Sequence, residues 1–265
     1  MGLIVQKYGG TSVADLVRIR NVAKRVAFAY DGGNDVVVVI SAMAGVTDSL
    51  IKMASQVSNR PEKRELDVLL ATGEQTTAAL LALTLNSMKY PARSLLGFQA
   101  EVRTNCDYGN ARILDIGTER VKQLMTGRNI VVVAGFQGCD SEGNITTLGR
   151  GGSDTSAVAI AAALKADICE IFTDVDGIYT ADPNVCPKAR KLSVVSYDEM
   201  LNMASLGAKV LQIRSVGFAK KFNVPVHVRS SFSEKEGTMV TNEDSGMEKL
   251  IVTAVTHDKD QARIT

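Results

Sequence analysis

Three short segments made almost entirely of apolar residues constrain the fold more than any other feature of this chain. They are residues 35–40 (Asp-Val-Val-Val-Val-Ile), 129–134 and 168–173. Runs of this kind are typical of strands buried on both faces, because a strand with one face in water alternates between apolar and polar residues. The segments therefore predict a mostly parallel sheet covered by helices on both sides.

Helix and strand patterns alternate along the rest of the chain. We predict further strands at 3–7, 145–147, 225–229 and 238–241, a hairpin turn at 140–144, and helices at 13–30, 66–85, after residue 153, and twice within 200–222 around a break near Gly207. The predicted core stripe of the helix at 13–30 consists of Val13, Leu16, Val17, Ile19, Val22 and Val26. This order predicts a three-layer α/β/α sandwich with a mostly parallel central sheet.

Composition excludes several classes of protein. The chain has 265 residues, of which 45% are hydrophobic and 22% charged, and its formal net charge is +1. This balance is typical of a globular protein and offers no basic stripe for nucleic acid. No apolar run approaches the roughly 18 residues of a membrane helix, and the chain begins directly with a strand pattern, so we expect a cytoplasmic protein. The four scattered cysteines and two histidines predict reduced thiols and no zinc site.

Glycine-rich turns follow predicted strands at 7–12, 41–47, 135–138 and 149–154. Loops at the carboxyl ends of parallel strands converge on one crevice, and these loops carry Lys, Ser, Thr, Arg and Asp. They predict a site for a polyanionic ligand. Neither GxxxxGK[ST] nor GxGxxG is present, which argues against a P-loop NTPase and a Rossmann dehydrogenase.

Two segments carry distinctive chemistry: the one around the last of these turns, and a fifth segment that follows a predicted strand. In residues 148–157, three glycines surround Arg150, and we expect Ser153 or Asp154 to cap the helix that follows, whose N-terminus would bind an anion; the alternative is a Gly-rich hairpin leading into an ordinary helix. In residues 172–183, three aspartates and Tyr179 could hold a ribose, an adenine or a metal ion, or could simply form an Asx-turn loop. The spacing and closing Glu of an EF-hand are absent.

Taken in order, these segments resemble the amino-acid kinase family and, within it, the aspartate kinases. The matching stretches are 7–12, 41–47, Ala71-Thr-Gly-Glu-Gln75, 147–156, 172–183, 203–209 and 211–215. The resemblance covers roughly residues 2–242, and it implies a catalytic domain at 1–242. It makes 243–265 a linker and the first strand, 249–256, of a truncated ACT regulatory domain. One departure is Asn184, where the family usually has arginine; Lys188 or Arg190 could take its place.

The resemblance implies phosphoryl transfer from ATP to the side-chain carboxylate of L-aspartate, giving 4-phospho-L-aspartate for lysine, threonine and methionine biosynthesis. It implies ATP and Mg²⁺, with the ion held mainly by phosphate oxygens, and a homo-oligomer or an assembly with ACT-containing chains. The implied catalytic residues are Lys7, Asp154 and Glu74. The implied ATP-binding residues are Lys7, Gly9, Gly10, Ser12, Ser41, Thr173, Asp174, Tyr179, Asp182 and Lys209. The implied aspartate-binding residues are Thr47, Glu74, Arg150, Gly151, Gly152 and Ser153, with Glu74 on the α-ammonium and Arg150 on the α-carboxylate.

Alternatives remain at this stage. Lys7 could be a solvated lysine, Arg150 a surface ion-pair partner, and Ser41 and Thr47 turn residues. Glu74 within an Ala- and Leu-rich helix would be costly unless it is paired or wet. The chain could also be a family member acting on another small carboxylate or phosphate acceptor, or a non-catalytic nucleotide-binding regulatory subunit.

Overall fold

The structure is a computed structural model that describes residues 2–208, 210–242 and 254–256. Over these residues the chain forms twelve strands, seven α-helices and a short 3-10 helix at Gly10–Val13. The strands are β1 (Leu3–Tyr8), β2 (Asp35–Ile40), β3 (Ala92–Leu95), β4 (Val102–Thr104), β5 (Ile113–Ile116), β6 (Ile130–Ala134), β7 (Gln137–Cys139), β8 (Ile145–Thr147), β9 (Ile168–Thr173), β10 (Val194–Ser196), β11 (Val226–Ser230) and β12 (Thr238–Thr241). The helices are α1 (Leu16–Asp31), α2 (Val46–Val57), α3 (Lys63–Ser87), α4 (Glu119–Thr126), α5 (Gly152–Leu164), α6 (Tyr197–Ser205) and α7 (Ile213–Phe222).

Among the described strands, eight form the central sheet in the order β10-β12-β11-β9-β1-β2-β6-β3. The six from β11 to β3 are parallel to one another, whereas β12 pairs antiparallel with β11 and parallel with β10. A second sheet has the order β5-β4-β7-β8 and contains the predicted hairpin turn between β7 and β8. The prediction of a mostly parallel central sheet is confirmed.

Helices cover both faces of the central sheet. On β2, Val36, Val38 and Ile40 belong to a core shared with α1 and α3, whereas Val37 and Val39 belong to a core shared with the helices α4 to α7. All five of these side chains are buried. The run of apolar residues therefore reflects burial on both faces, and the predicted three-layer sandwich is confirmed.

Two predictions about helix starts are wrong. Helix α1 begins at Leu16 because Asp15 caps it, accepting a hydrogen bond of 2.8 Å from the Arg18 backbone N–H. Leu16 and Val17 consequently lie in the first turn, where they are 64% and 70% exposed, and they do not join the core stripe. The helical period buries Ile19, Val22 and Val26 as predicted, together with Ala23.

The cap of α5 is Gly151, not Ser153 or Asp154, which both lie inside the first turn. Gly151 has φ +69°, a left-handed conformation that favours glycine. A Cβ atom there would also lie 1.9 Å from the Gln212 side chain. Backbone geometry and close packing therefore select glycine at this start, and the polar side chains that follow are left for other contacts.

The long helix α3 matches the predicted buried helix, but it is more apolar than the expectation of no membrane-length apolar run implied. Its most apolar stretch of 18 residues has a mean hydropathy of 1.3, which by length and composition alone is enough to cross a membrane. Half of that stretch is buried inside the protein, where α3 packs on α1, β3 and β6. Such burial is typical of a core helix.

The predicted strand at 249–256 lies mostly outside the described residues. Only 254–256 are described, and they are not in a strand. The Val255 backbone N–H donates a hydrogen bond of 2.8 Å to the Thr180 carbonyl. The proposed boundary at residue 242 therefore stays a prediction.

Candidate active site

Loops from three neighbouring strands meet at one edge of the central sheet. The Ser41 N–H donates to the Tyr8 carbonyl (3.1 Å), and the Gly135 N–H donates to the Ile40 carbonyl (3.0 Å), so the ends of β1, β2 and β6 are joined. Gly10 lies so close to the β2 loop that a Cβ atom would be 2.9 Å from the Ala42 carbonyl oxygen. The glycine turns thus form one continuous backbone surface at the carboxyl ends of the strands.

A buried ion pair lies at this edge. Lys7 of β1 and Asp154 of α5 approach to 2.6 Å between Nζ and Oδ1, with side chains that are only 11% and 12% exposed. Asp154 is in the first turn of α5, next to the free amides of the helix N-terminus. Lys7 has three ammonium protons and meets one carboxylate, so its charge is available to a second anion.

The start of α5 is tightly enclosed on one side and open on the other. A Cβ atom on Gly135 would lie 3.0 Å from the Ser153 hydroxyl, and one on Gly152 would lie 2.8 Å from the Phe136 ring. Arg150, one residue before the cap, is exposed and makes no ion pair within the described part of the chain. Its guanidinium is therefore free to pair with a carboxylate or phosphate.

Glu74 is buried beside the same loops, and only one of its two carboxylate oxygens accepts a hydrogen bond from another residue in the described structure. Its side chain on α3 accepts a hydrogen bond of 3.0 Å at Oε1 from the Ala42 N–H, and its residue is 4% exposed. Oε2 is buried without a partner in the described structure. Burial raises the pKa of Glu74 to about 7. An unpaired carboxylate oxygen of this kind would bind a cation such as an ammonium group.

Asp67, two turns earlier on α3, is a buried acid beside the site that sequence reasoning missed. Its Oδ2 accepts from the N–H groups of Gly109 (3.0 Å) and Thr147 (2.7 Å), and its Oδ1 accepts from the Thr147 hydroxyl (2.7 Å). Burial raises its pKa although these hydrogen bonds act in the opposite direction. The contacts fix the end of β8, from which the chain leads to Arg150.

The segment after β9 reaches the same edge, because Phe172 of β9 pairs with Tyr8 of β1. The Thr173 hydroxyl donates to Asp174 (3.1 Å), and Tyr179 forms an isolated bridge with Lys191. Asp182 accepts a hydrogen bond of 2.9 Å from the Asn184 N–H. That contact is the Asx turn considered as the alternative, so part of the Asp182 carboxylate already has a local partner.

The remaining predicted site residues differ in burial, and one of them is not described. Ser41 and Thr47 are half-buried at the crevice. Ser12 is buried, and its hydroxyl lies 2.5 Å from the hydroxyl of Ser231. Lys209 lies outside the described residues. Asn184 is exposed, as are the side chains that could replace the missing arginine, Lys188 and Arg190.

A second polar network that sequence reasoning missed lies on the opposite face of β1. Glu170 of β9 is buried and accepts hydrogen bonds of 2.8 Å from both Gln6 and Arg229. The Tyr8 ring stacks on Phe172 at 4.7 Å between centroids, and its hydroxyl donates to Gln6 at 3.2 Å. These contacts fix β1 against β9 immediately before Gly9. A glutamate inside the apolar run 168–173 was the signal that could have indicated them.

Two carboxylates that could contact a metal ion lie near the crevice, but the described residues contain no ready-made cluster of metal ligands. No group of three or more His, Cys, Asp or Glu side chains capable of holding a metal occurs in the described ranges. Asp154 and Asp174 both lie at the carboxyl ends of the strands, and oxygen ligands are those that Mg²⁺ prefers. The donor set therefore fits an ion that arrives with phosphate oxygens.

Comparison with known proteins is consistent with this geometry. The sequence model of the Amino acid kinase family matches residues 2–230. The aspartokinase of Mycolicibacterium smegmatis is 54% identical over 268 aligned residues, which span the whole of this chain and 64% of that protein. The chain thus spans less than two thirds of the length of the curated relatives it matches.

Solved structures give the same result. The aspartate kinase from Synechocystis superposes with a TM-score of 0.81 at 51% identity, over 91% of this chain and 40% of that one. E. coli aspartokinase III in complex with aspartate and ADP superposes with a TM-score of 0.79 at 28% identity, over 92% of this chain and 65% of that one.

Proposed function

Because this chain belongs to the amino acid kinase family, we propose that it transfers the γ-phosphoryl group of ATP to the side-chain carboxylate of L-aspartate. A carboxylate oxygen forms a bond to the γ-phosphorus while the bond from that phosphorus to the β–γ bridging oxygen breaks, which gives ADP and 4-phospho-L-aspartate. No proton has to move. The identity of 54% with an aspartokinase over the whole chain supports aspartate as the acceptor, as does the aspartate named with E. coli aspartokinase III.

The observation that carries this proposal is the buried Lys7–Asp154 pair at the junction of the glycine loops. Both reactants are anions, so catalysis consists mainly of positioning them and neutralising their charge. Lys7 would contact the attacking carboxylate and the moving phosphoryl group, and Asp154 would hold Lys7 in place or orient water on a metal ion. The amides at Gly9 and Gly10 would bind phosphate oxygens.

Glu74 and Arg150 would recognise the amino-acid end of the acceptor. The unpartnered Oε2 of Glu74 suits the α-ammonium, and the exposed guanidinium of Arg150 suits the α-carboxylate. An ammonium partner would lower the pKa of Glu74 from about 7 and keep it ionised. Ser41 and Thr47 would border the reacting carboxylate, and Gly151, Gly152 and Ser153 would line the same pocket at the start of α5.

The nucleotide would lie along the segment after β9. Thr173, Asp174, Tyr179 and Asp182 would surround its base and ribose, and Lys209 would contact its phosphates. Mg²⁺ would neutralise charge on the β- and γ-phosphates. One carboxylate, from Asp154 or Asp174, would reach its water shell. We infer that 1–242 form the catalytic domain and that 243–265 lead into a regulatory domain; the cytoplasmic location and the assembly state remain predictions.

A coupled ADP-release assay tests the proposal. The protein is assayed with MgATP and, separately, L-aspartate, L-glutamate, N-acetyl-L-glutamate and UMP, and only L-aspartate should release ADP. Release with another acceptor would identify a different member of the family, and ATP binding without release would favour a regulatory subunit. Excess chelator should abolish the activity.

Two variants assign the roles. Lys7→Ala should lower kcat by about a hundredfold or more, because a preorganised charge on a developing anion contributes roughly 3 kcal/mol. Glu74→Gln should raise KM for aspartate about tenfold or more and leave KM for ATP within about twofold. A Lys7→Ala variant with unchanged kcat and raised KM would mean that Lys7 only binds substrate.

A further inference from the structure

The loop between β11 and β12, residues 231–237, lies beside the phosphate-binding turn at Gly9 and Gly10, and we call it the strap. Ser12, which follows that turn, is 2% exposed, and its hydroxyl lies 2.5 Å from the hydroxyl of Ser231 in the strap. Either hydroxyl can donate in this contact, and the contact joins the strap directly to the turn.

The same strap residue also holds the segment after β9. The Ser231 backbone N–H donates a hydrogen bond of 2.8 Å to the carbonyl of Thr173. Thr173 is the last residue of β9 and precedes Asp174. One residue thus contacts the phosphate-binding turn through its side chain and the candidate nucleotide segment through its backbone.

Two further strap residues bind the nucleotide segment. The Ser233 hydroxyl and the Lys235 ammonium each donate to the Asp176 carboxylate at 2.8 Å. These two donors hold the pKa of Asp176 below its ordinary value. Asp176 is therefore occupied with the strap and is a poor candidate for a nucleotide ligand.

Helix α1 holds the strap from the other side. The Arg25 guanidinium donates to the Glu234 carboxylate at 2.8 Å and to the Ser233 carbonyl at 3.3 Å. The Arg18 guanidinium lies 5.1 Å above the Phe232 ring and donates to the Thr11 carbonyl at 2.5 Å. The strap and the phosphate-binding turn are thereby fixed to the same helix.

We propose that Ser12 and Ser231 are positioning residues that act as a pair, joining the phosphate-binding turn to the nucleotide segment so that both halves of bound ATP keep one alignment. This inference rests on the proposed function. Transfer in line requires the reacting atoms to be aligned closely, and a displacement of about 1 Å can lower a rate about a hundredfold. The pair touches neither Arg150 nor Glu74, so its removal should affect ATP and not aspartate.

A double-mutant cycle tests the pair. Ser12→Ala and Ser231→Ala should each lower kcat/KM for ATP by roughly five- to tenfold, the effect of one lost hydrogen bond. The double variant should be no worse than either single variant, because both remove the same contact. KM for aspartate should stay within about twofold, and Ser231→Thr, which keeps a hydroxyl, should restore most of the activity.

A phosphate-ligand role for Ser12 predicts a different pattern. Ser12→Ala would then be severe, Ser231→Ala close to the unmodified protein, and the double variant additive; that pattern would overturn the proposal. Thr104→Val and Thr146→Val form a matched control, because these buried hydroxyls also pair, at 2.6 Å, in the smaller sheet. The control variants should lose stability without a selective change in kcat/KM for ATP.

Binding of a non-hydrolysable ATP analogue, measured by calorimetry, separates this proposal from the proposed function. Suppose that the protein releases no ADP with aspartate while the analogue binds several times more weakly to each single variant than to the unmodified protein. If the double variant then binds the analogue as well as the single variants do, the strap proposal stands without aspartate kinase activity. Equal analogue affinity in Ser231→Ala and the unmodified protein would overturn the strap proposal even if the kinase activity is present.

Discussion

Two buried carboxylates on α3 lie two helical turns apart and are used in opposite ways. Asp67 is fully buried, and both of its oxygens accept hydrogen bonds, three in all, from Gly109 and Thr147. Glu74 is nearly as buried, but one oxygen accepts a single hydrogen bond from Ala42 and the other has no partner in the described structure. Burial raises the pKa of both.

The difference separates an acid that holds the fold together from an acid that waits for a ligand. Burying a charge is costly, and a folded protein compensates with hydrogen bonds wherever the charge serves only the fold. At Asp67 both carboxylate oxygens find hydrogen-bond donors within the chain. At Glu74 the compensation is incomplete, so the remaining partner has to come from outside, which supports the proposed contact with an α-ammonium group.

The largest effect should come from Asp67→Ala. The change leaves two backbone N–H groups and one hydroxyl without their acceptor, each costing about 1–3 kcal/mol, so the free energy of unfolding should fall by about 4 kcal/mol. Urea denaturation measures it. Asp67→Asn keeps the side-chain volume and one acceptor oxygen, so its free energy of unfolding should fall by less. It provides a second measurement if the alanine variant does not fold. A loss below about 1 kcal/mol for Asp67→Ala would show that the hydrogen bonds of Asp67 do not stabilise the fold, and would contradict the contrast with Glu74.

Glu74→Gln should raise the free energy of unfolding above neutral pH, whereas Asp67→Ala lowers it. The folded protein holds the pKa of Glu74 at about 7 against an ordinary 4.5, so ionising it at pH 8 costs at most about 3.5 kcal/mol, at about 1.4 kcal/mol for each pKa step. The glutamine keeps an acceptor for Ala42 and removes the charge. The variant should therefore be more stable at pH 8 while it binds aspartate more weakly.

The sign of the pH dependence follows from the raised pKa. The protonated carboxyl is the form that the folded state favours, so its contribution to stability is complete below about pH 4.5 and is lost as the pH rises through about 7. The advantage of Glu74→Gln should grow between pH 5.5 and 7.5 and level off above that range in urea denaturation. A constant difference between the two proteins across this range would show that Glu74 does not titrate there.

The smallest effect should come from Glu65→Gln, an exposed acid on the same helix. Among the described residues, Glu65 forms an ion pair with its neighbour Arg64, and exposed ion pairs contribute less than about 1 kcal/mol. The free energy of unfolding and KM for aspartate should both stay close to those of the unmodified protein. A large change in either would mean that position on α3, and not burial, determines the effect of removing a carboxylate.

The sheet and its layers could be predicted because they depend on strong local patterns. The apolar runs at 35–40, 129–134 and 168–173 became β2, β6 and β9, and the crevice followed from glycine turns at strand ends. Glu74 was indicated by its cost inside an apolar helix. Local pattern also misled, since Leu16 and Val17 continue an apolar stripe that the cap at Asp15 turns toward solvent.

The contacts that position the site could not be predicted, because their partners are distant in sequence. Asp67 meets Thr147, Glu170 meets Gln6, and Ser231 meets Ser12, and none of these residues belongs to a pattern that names its partner. The cap of α5 was missed for a similar reason. Gly151 is required there by its φ and by Gln212, the residue just before α7, whose side chain packs against it.

The place of β1 in the middle of the sheet has a consequence for synthesis on the ribosome. Residues Leu3–Tyr8 pair on one side with β2, which follows soon, and on the other with β9, where Ile4 meets Ile168. At roughly 5–20 residues per second, the second partner emerges about 8 to 30 seconds after the first strand. During that interval one edge of β1 lacks its native partner, and an unpaired edge is open to pairing with other chains. The strand that carries Lys7 is therefore a segment for which chaperone protection during translation would matter most.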